Sequence, residues 1–582
     1  MSQPTLSPLV RWSSLAAFFG AVTVLMTWPL ARDPFHVALG PPSDNLYFVW
    51  LIEWYRRAIV ELHRFTIDVP FLNAPEGWNL AYNEMTPVMA LLGLPVAFMG
   101  PAAAYNASVF ASFVLSGIFT FQWVRQLGGN TVGGLLAGVC FAFAPYRLMH
   151  ALSHLNLLGT QWLPLFFSGL TSLVGSPGRS LRPAVVTAGA LLLIAGTSQY
   201  YLYMTLVAAV PVALVLLRSR REWYRDHALL KRALLTAVLA APVAFVLWPY
   251  FALARQGLLP ARPLSAAQIW AANPTDYFVP SPLHAYLGGW LEQHLRRGPS
   301  VESTLHVSMI SAGLAFLVLR RARRDPMVAA LGVAMVVTFV LSLGTELHVR
   351  GQIVQVPIPG FLHPWVRASS SAIVLPGRLL FAYLPYYANM RVWSRWGIFV
   401  SLFVSVLAGM GLAQVTRRWS RRGSAILVAV LIIIVIVEFR QRPYPTSPIA
   451  PRPVDAWLAA QVGGGAVAVM PVGELTTPQG TFFTMFHRKP FIGAFFSAFE
   501  SPQFRRIEPT LRSFPDAASI AVLRTLGVRW VVLTLDMYGD PTAVRVTCAG
   551  LGLHEVFESK AHIVFDLEGR AAASRSEPDA TP

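Results

Sequence analysis

The sequence predicts an α-helical polytopic membrane protein with about eleven transmembrane helices and a small C-terminal extracytoplasmic α/β domain. Composition is the first reason. Of the 582 residues, 55% are hydrophobic and 13% are charged, whereas soluble domains carry about 25% charged residues. The mean hydropathy is +0.52. The second reason is the net charge of +18, because its basic residues cluster between long apolar stretches, which is typical of membrane topology signals and not of nucleic-acid binding.

Eleven apolar stretches are long enough, or nearly long enough, to cross a bilayer. They fall near residues 12–31, 104–124, 131–146, 155–175, 183–197, 200–218, 232–253, 304–320, 326–343, 395–415 and 424–440. A further apolar run, 86–100, is short and is interrupted by Gly93 and Pro95. We expect this run to lie in the interface or to re-enter the membrane.

Short basic loops set the predicted orientation, because loops rich in Lys and Arg stay in the cytoplasm. These loops are 218–232, 320–325 and 417–422. They place the N-terminus in the cytoplasm and the C-terminus outside. They also place three large loops outside, namely 31–103, 254–303 and 344–394. An alternative stays open, in which 86–100 crosses and the charge rule is broken once.

The predicted domain order follows from composition. Residues 1–440 form the transmembrane domain, and the Pro-rich stretch 441–455 is a linker. Residues 456–570 read as a soluble α/β domain, since "GAVAVMPV" and "VRWVVLTL" look like buried strands and "SIAVLRTLG" like a helix between them. The polar tail 571–582 is predicted to be disordered.

Several chemistries lack support in the sequence. It has no phosphate-binding glycine loop, no dinucleotide fingerprint and no zinc-protease or serine-hydrolase motif. The two cysteines, Cys140 and Cys548, lie in different predicted domains, so no disulfide framework is expected. Charged residues are absent from the middle of the apolar stretches, which disfavours ion-coupled transport. The polar residues gather at the outer ends, and this indicates a site at the external face.

Five stretches of sequence carry a resemblance to a known superfamily. They are "PPSDNLYFVW", "PEGWNLAYNEMTP", "AYN" at the start of the next stretch, "FAFAPYRLMHALSHLNLLGTQWLPL" and "RVWSRWGIFVSLFVSVLAGMGL". Over roughly residues 10–440 the chain resembles the GT-C superfamily of membrane glycosyltransferases, which includes protein O-mannosyltransferases and lipid A aminoarabinose transferases. Some members carry two adjacent acids in the first loop, whereas Asn45 follows Asp44 here. No cofactor is therefore certain, and a divalent metal stays open.

The resemblance implies a multi-pass enzyme of the bacterial cytoplasmic (inner) membrane. It would transfer a sugar from a polyprenyl-phosphate donor, with inversion, to an envelope glycan, lipid or protein at the outer face, in contact with membrane lipid and with no nucleic acid. Two alternatives stay open. One is a transporter or flippase of a lipid-linked saccharide, and the other is a non-catalytic membrane scaffold of the same fold.

Asp44 is the predicted general base. A carboxylate at a half-dry interface can take the proton of the acceptor hydroxyl while a sugar is transferred. The alternative is that Asp44 only caps the helix expected over 45–60, since Asp is a favoured N-cap. Both roles can hold together. Asp33 is the second candidate base, with a turn before Pro34 as its structural alternative.

Positive donors are expected at the leaving phosphate. Arg147, His150 and His154 are spaced i, i+3 and i+7, so on one helix they would share a face. Arg391 and Arg395 flank the start of the stretch 395–415, and arginine grips phosphate through its forked donors. The alternative for each arginine is anchoring to lipid headgroups. The remaining candidates are Glu84 and Asn106 for substrate binding, and the acids expected to be structural, Asp276 and Glu302.

Overall fold

The structure of the protein is a computed structural model, and it describes residues 8–175, 178–220, 222–259, 261–294, 301–358, 370–497 and 499–568. The chain forms two compact units, each built from separate stretches of sequence. The first unit comprises Met1–Pro34, Thr86–Gly93 and Asn106–Thr446, and the second comprises Phe35–Met85, Leu94–Tyr105 and Ser447–Pro582. The predicted disordered tail, 571–582, lies outside the described residues.

The described part of the chain is mostly helical. In chain order the α-helices are α1 Pro8–Met26, α2 Asp44–Val60, α3 Pro87–Gly93, α4 Pro101–Gln126, α5 Thr131–Ala142, α6 Pro145–His150, α7 Leu155–Leu158, α8 Trp162–Gly175, α9 Arg182–Ala195, α10 Gln199–Arg218, α11 His227–Ala240, α12 Val243–Arg255, α13 Leu264–Ile269, α14 Gly288–His294, α15 Met309–Arg321, α16 Pro326–Ser342, α17 Gly377–Tyr383, α18 Gly397–Val415, α19 Arg421–Phe439, α20 Pro453–Ala460, α21 Pro478–His487, α22 Pro502–Leu511, α23 Ala517–Thr525 and α24 Pro541–Gly550.

The strands are short and belong to several small sheets. They are β1 Val37–Leu39, β2 Asp68–Val69, β3 Trp78–Asn79, β4 His348–Val349, β5 Gln352–Ile353, β6 Gln355–Pro357, β7 Ser370–Ala372, β8 Thr446–Pro448, β9 Ala466–Met470, β10 Val528–Thr534, β11 His554–Glu558 and β12 His562–Asp566.

Six helical stretches among the described residues are long and apolar enough to cross a membrane. They are Leu9–Met26, Pro101–Gln126, Leu155–Gly175, Gln199–Arg218, Ser394–Arg418 and Arg421–Phe439. α11 and α12 add a seventh if this pair, bent by 49°, forms one span. These helices indicate a multi-pass membrane protein. The predicted stretches 131–146, 183–197, 304–320 and 326–343 coincide with shorter helices, so the count of eleven spans stays a prediction.

The run 86–100 is also helical but short. It forms α3 and a following 3-10 segment, Leu94–Met99. At about 1.5 to 2.0 Å per residue, thirteen residues reach about 20 to 26 Å, which is less than the roughly 30 Å of a hydrocarbon core. The length favours the predicted interfacial or re-entrant placement.

α18 forms the centre of the first unit, and nearly all of its residues are buried. It packs closely against α5, where Gly133 has no room for a side chain, since a Cβ there would collide with the carbonyl oxygen of Gly409. Membrane helices commonly use small residues for such close backbone approach.

The second unit contains a four-stranded sheet with the order β11-β12-β10-β9. β9 is parallel to β10, with Ala468 opposite Val531, and β12 is antiparallel to β10. The two predicted strands are confirmed as β9 and β10, and the predicted helix between them as α23. Gly527 follows that helix with φ +70°, as its C-terminal position requires.

Backbone hydrogen bonds join the first large loop to this sheet. Phe491 forms bridges to both Val467 of β9 and Leu72. The Asn73 N–H donates to the Gly493 carbonyl at 2.8 Å. Residues 35–85 are therefore part of the same compact unit as the C-terminal sheet, and the domain limits predicted from composition stay a prediction.

We expect Gly493→Ala to destabilise the second unit. A Cβ at this buried position would collide with the carbonyl oxygen of Leu475, and overpacking of this kind costs about 1 to 3 kcal/mol. Limited proteolysis of the full chain over a temperature series should show earlier cleavage within residues 447–568. Gly473→Ala is the matched control, because a Cβ there meets nothing within 4 Å. Equal resistance of the two variants would contradict the tight packing at Gly493.

Candidate functional site

The predicted site residues are divided between the two units. Asp44 and Glu84 belong to the second unit. The first unit contains the other candidates, which are Asn106, Arg147, His150, His154, Arg391 and Arg395. Each group has its own local geometry.

The helix expected to carry Arg147, His150 and His154 is interrupted. α6 begins at Pro145 and ends at His150. His154 has φ −113° and ψ 80°, which is not helical, and it precedes the single turn α7. The prediction of one shared helical face is therefore wrong, because the backbone leaves the helix between the two histidines.

Arg147 is fully buried, and its guanidinium is surrounded by protein oxygens. Its Nε donates to Thr160 Oγ1 at 2.7 Å and its Nη1 to the Ala142 carbonyl at 2.5 Å. Its Nη2 donates to Ser112 Oγ at 2.8 Å and to the Leu158 carbonyl at 3.2 Å. Ala142 and Leu158 end α5 and α7, where carbonyls lack helical partners and carry the negative end of the helix dipole. These contacts favour a structural role, and phosphate binding by Arg147 stays a prediction.

Glu302 brings His150 and Arg395 together. Arg395 Nη2 donates to Glu302 Oε1 at 2.6 Å, and Nε lies 3.1 Å from the same oxygen. His150 Nε2 lies 3.4 Å from Glu302 Oε2, while its Nδ1–H donates to the Tyr146 carbonyl at 2.8 Å. Burial by itself would raise the pKa of Glu302, but Arg395 and His150 hold that pKa well below its usual range. Glu302 is thus an ionised carboxylate between two basic groups.

His154 lies beside this ion pair. Its ring centroid is 5.5 Å from that of His150, and its Nδ1 is 3.1 Å from the Ser153 hydroxyl. Burial, and then the charge of His150, lower the pKa of His154 to about 3. The imidazole is neutral at physiological pH, so it can act as one hydrogen-bond donor and one acceptor.

Arg391 and Arg395 both contact Tyr200. The guanidinium carbon of Arg395 lies 4.4 Å from the centroid of the Tyr200 ring, and the backbone N–H of Arg391 donates to the Tyr200 hydroxyl at 3.3 Å. The Arg391 guanidinium lies over the Trp270 ring at 5.1 Å. Its Nε is buried and has no hydrogen-bond partner among the described residues. We call His150, His154, Arg391 and Arg395 the basic cluster.

Sequence reasoning did not identify the residues that hold this cluster. The sequence predicts Glu302 to be a structural acid but does not identify its partner, an arginine 93 residues away. Tyr200 and Trp270 gave no local motif. One feature of the sequence could have indicated that Glu302 has a buried partner. This acid immediately precedes the apolar stretch 304–320, where an acid is uncommon.

Asn106 connects two parts of the first unit. Its amide donates to the Pro34 carbonyl at 2.8 Å, next to Asp33 in sequence. This contact gives Asn106 a structural function in α4, and its predicted role in substrate binding stays a prediction.

Asp44 is the first residue of α2 and is partly exposed. Ser43 occupies the N-cap position, so the expectation that Asp44 is the cap is wrong by one residue. Asn45 forms two local hydrogen bonds here, because its Oδ1 accepts from the Ser43 N–H and its amide donates to the Leu39 carbonyl. In the first turn, a carboxylate is stabilised by the positive end of the helix dipole.

Glu84 lies near the same end of α2. Tyr47 follows Asp44 by three residues, so both side chains lie on one side of the helix. Burial raises the pKa of the Tyr47 hydroxyl, and the nearby charge of Glu84 raises it further. Asn83 donates to the Phe495 carbonyl at 2.7 Å and fixes this loop within the second unit. Glu84 therefore lies close enough to Tyr47, in the first turn of α2, for its charge to act on that hydroxyl.

Among the described residues, no group of three or more His, Cys, Asp or Glu side chains is arranged to hold a metal ion. Asp44 is followed by an amide, which supplies one fewer charged ligand than a second acid would. The divalent metal stays a prediction.

Comparisons with known proteins identify the fold. No protein-family model and no curated protein sequence matches the chain. The arabinofuranosyltransferase AftD from Mycobacteria is similar in structure, with a TM-score of 0.58 and 15% identity over 97% of this chain and 40% of AftD. This chain thus spans about two fifths of the length of that enzyme. The apo oligosaccharyltransferase of Archaeoglobus fulgidus has a TM-score of 0.51 and 10% identity over 91% of this chain and 70% of its own. Both are GT-C glycosyltransferases, and the chain described here has the GT-C fold.

Proposed function

We propose that this protein is a membrane glycosyltransferase of the GT-C type. It takes a sugar from a polyprenyl-phosphate donor and transfers it to an envelope acceptor at the outer face of the bacterial cytoplasmic membrane. The observation that carries the proposal is the GT-C fold over nearly the whole chain. The acid at the start of α2 and the basic cluster supply the two kinds of group that such a transfer needs.

Asp44 is the proposed general base. Its carboxylate accepts the proton of the acceptor hydroxyl, and the oxygen then attacks the anomeric carbon of the donor. The bond from that carbon to the phosphate oxygen breaks, and its electron pair leaves with the polyprenyl phosphate. A single displacement of this kind inverts the anomeric configuration. The position of Asp44 in the first helical turn supports the proposal, since the helix dipole favours the ionised carboxylate that a base requires.

The basic cluster is proposed to hold the donor phosphate. Arg395 and His150 already contact Glu302, whereas the Arg391 Nε has no hydrogen-bond partner among the described residues, so Arg391 is the member best placed to contact a ligand. The basic cluster contains two arginines, whereas Glu302 is the one carboxylate that pairs with it. This excess of positive charge favours an anion such as the donor phosphodiester. Stacking of Arg391 on Trp270 orients its guanidinium without neutralising it.

A non-catalytic scaffold is the second candidate. The ion pair of Glu302 with Arg395 and His150 is complete without a substrate, as expected of a purely structural contact. Loss of turnover on conservative replacement of Asp44 distinguishes the enzyme from the scaffold.

The topology is proposed to place the N-terminus in the cytoplasm and residues 447–568 outside. The basic loops 218–232, 320–325 and 417–422 support this orientation. Fusion of an alkaline phosphatase after residue 445 should be active, and a green fluorescent protein at the same site should be dark. Reporters fused within 320–325 should show the opposite pattern. Fluorescence without phosphatase activity after residue 445 would overturn both the topology and the proposed side of the reaction.

Asp44→Asn should abolish most transfer activity. A positioned base contributes about 10²- to 10⁴-fold in rate, so turnover should fall at least about a hundredfold. Thermal stability should change little, because Asn keeps the shape of the side chain and an accepting oxygen at the first position of α2. The measurement is radiolabelled sugar transfer from a polyprenyl-phosphate donor in detergent.

Asp33→Asn is the matched control for this experiment, and it should keep most of its activity. If Asp44→Asn transfers sugar at the wild-type rate while Asp33→Asn does not, Asp33 is the base. If both variants are fully active, neither acid removes the proton.

Arg391→Gln and Arg147→Gln should separate ligand binding from structure. Arg391→Gln should raise the apparent KM for the donor about tenfold or more, since hydrogen bonds to charged groups contribute about 1.5 to 3 kcal/mol. Its melting temperature should be unchanged. Arg147→Gln should instead lower the melting temperature, because several buried carbonyl and hydroxyl oxygens lose a donor. A stable Arg147→Gln with a raised donor KM would restore Arg147 to the phosphate site.

A further inference from the structure

A cleft in the first unit lies apart from the side chains that contact Glu302. Its volume is about 550 Å³, and it is lined by Phe251, Ala254, Arg255 and Tyr386. Pockets of about 300 to 1,000 Å³ typically hold small ligands. The first three residues belong to the last turn of α12, and Tyr386 precedes a 3-10 turn, Tyr387–Asn389. The cleft therefore combines an apolar wall with one cation.

Arg255 is an exposed cation at this cleft. Its guanidinium carbon lies 5.6 Å from the centroid of the Trp248 ring. Among the described residues, no carboxylate lies within ion-pair distance of Arg255, in contrast to Arg378, which pairs with Glu346 at 2.6 Å. A guanidinium in this position has its hydrogen-bond donors available for an anion.

The aromatic wall is held in an unusual backbone conformation. Tyr386 has φ +66°, a region that bulky side chains rarely adopt. Its ring centroid lies 5.3 Å from that of Phe251 and 6.2 Å from that of Tyr203. Residues in such conformations cluster at binding and catalytic sites, where the surrounding structure maintains them.

The surface beside the cleft is apolar and faces away from the protein. Phe245 and Trp248 of α12 are 81% and 58% exposed. α12 ends the apolar stretch 232–253, and the basic loop 218–232 places that end on the outer side. Tryptophan and tyrosine are enriched at the headgroup level of membranes. The cleft thus lies where a lipid presents both its phosphate and the start of its chain.

We propose that this cleft binds a lipid phosphate, with Arg255 contacting the phosphate and with Phe251 and Tyr386 contacting the first carbons of the chain. Two lipids offer this chemistry, an anionic glycerophospholipid of the membrane and a polyprenyl phosphate.

Tyr200 and Tyr203 lie one turn apart on α10. The first contacts the basic cluster and the second contacts Tyr386. A lipid in the cleft would therefore lie about one helical turn from that cluster, and its binding does not depend on sugar transfer.

Lipid binding to the purified full-length protein in detergent tests the proposal. Native mass spectrometry should show phosphatidylglycerol bound to the wild type, and diacylglycerol with the same acyl chains bound at least about tenfold more weakly, because the charge-assisted contact is lost. Arg255→Gln should weaken phosphatidylglycerol binding by a similar factor and leave diacylglycerol binding unchanged. Arg321→Gln is the matched control, since Arg321 is an exposed arginine at the end of α15.

The same assay with a polyprenyl monophosphate identifies the source of the phosphate. If this lipid competes with phosphatidylglycerol in the wild type, and Arg255→Gln weakens both, the cleft accepts either lipid. If only one lipid is affected by Arg255→Gln, that lipid is the occupant. Phe251→Ala should weaken binding of each lipid that occupies the cleft, since the chain loses part of its wall. Equal lipid binding by wild type, Arg255→Gln and Phe251→Ala would overturn the proposal, whatever the transfer activity of these variants.

Discussion

The arrangement of the first unit depends on one buried guanidinium. Arg147 donates to the Ala142 carbonyl at the end of α5, which has no partner within that helix, and it is one of several donors to the Leu158 carbonyl at the end of α7. In a membrane protein such carbonyls have no water to bind, so the break persists only where the protein supplies donors. Arg147 therefore stabilises the break before the short helix α6. His150 lies at the end of α6, where it contacts Glu302.

Glu302 connects α6 to a third part of the chain, because it contacts both His150 and Arg395. It fixes Arg395 at the start of α18, and Arg395 lies against the Tyr200 ring on α10. Burying the Glu302 carboxylate costs desolvation energy. The attraction of the carboxylate to its basic partners offsets this cost. Removal of Glu302 would leave the buried Arg395 guanidinium without its carboxylate, and removal of Arg395 would leave Glu302 with His150 alone. The positions of the basic cluster are consequently coupled, although its residues lie far apart in sequence.

The sequence predicts the apolar helices well and the connections between them poorly. α1, α10, α18 and α19 follow from hydropathy, which is a local property. The break after Ala142 was missed because the residues around it are as apolar as those of a helix. The Glu302 pairing was missed because it spans 93 residues without a motif. The second unit also contains residues 35–85, for which the sequence offers no signal. It is joined through backbone hydrogen bonds such as that of Asn73, which leave no side-chain pattern.

Because the second unit is discontinuous in sequence, its first segment is synthesised long before the segment against which it packs. The Trp50 indole donates to Thr484 Oγ1 at 3.1 Å across 434 residues of sequence. At about 5 to 20 residues per second, a ribosome needs about 20 to 90 seconds to complete that interval. During this time α2 and the segment around Leu72 have been made, while their partners, α21 and Phe491, have not. The nascent first loop must remain unaggregated with its apolar surface uncovered, and every chain that terminates early leaves it permanently without its partner.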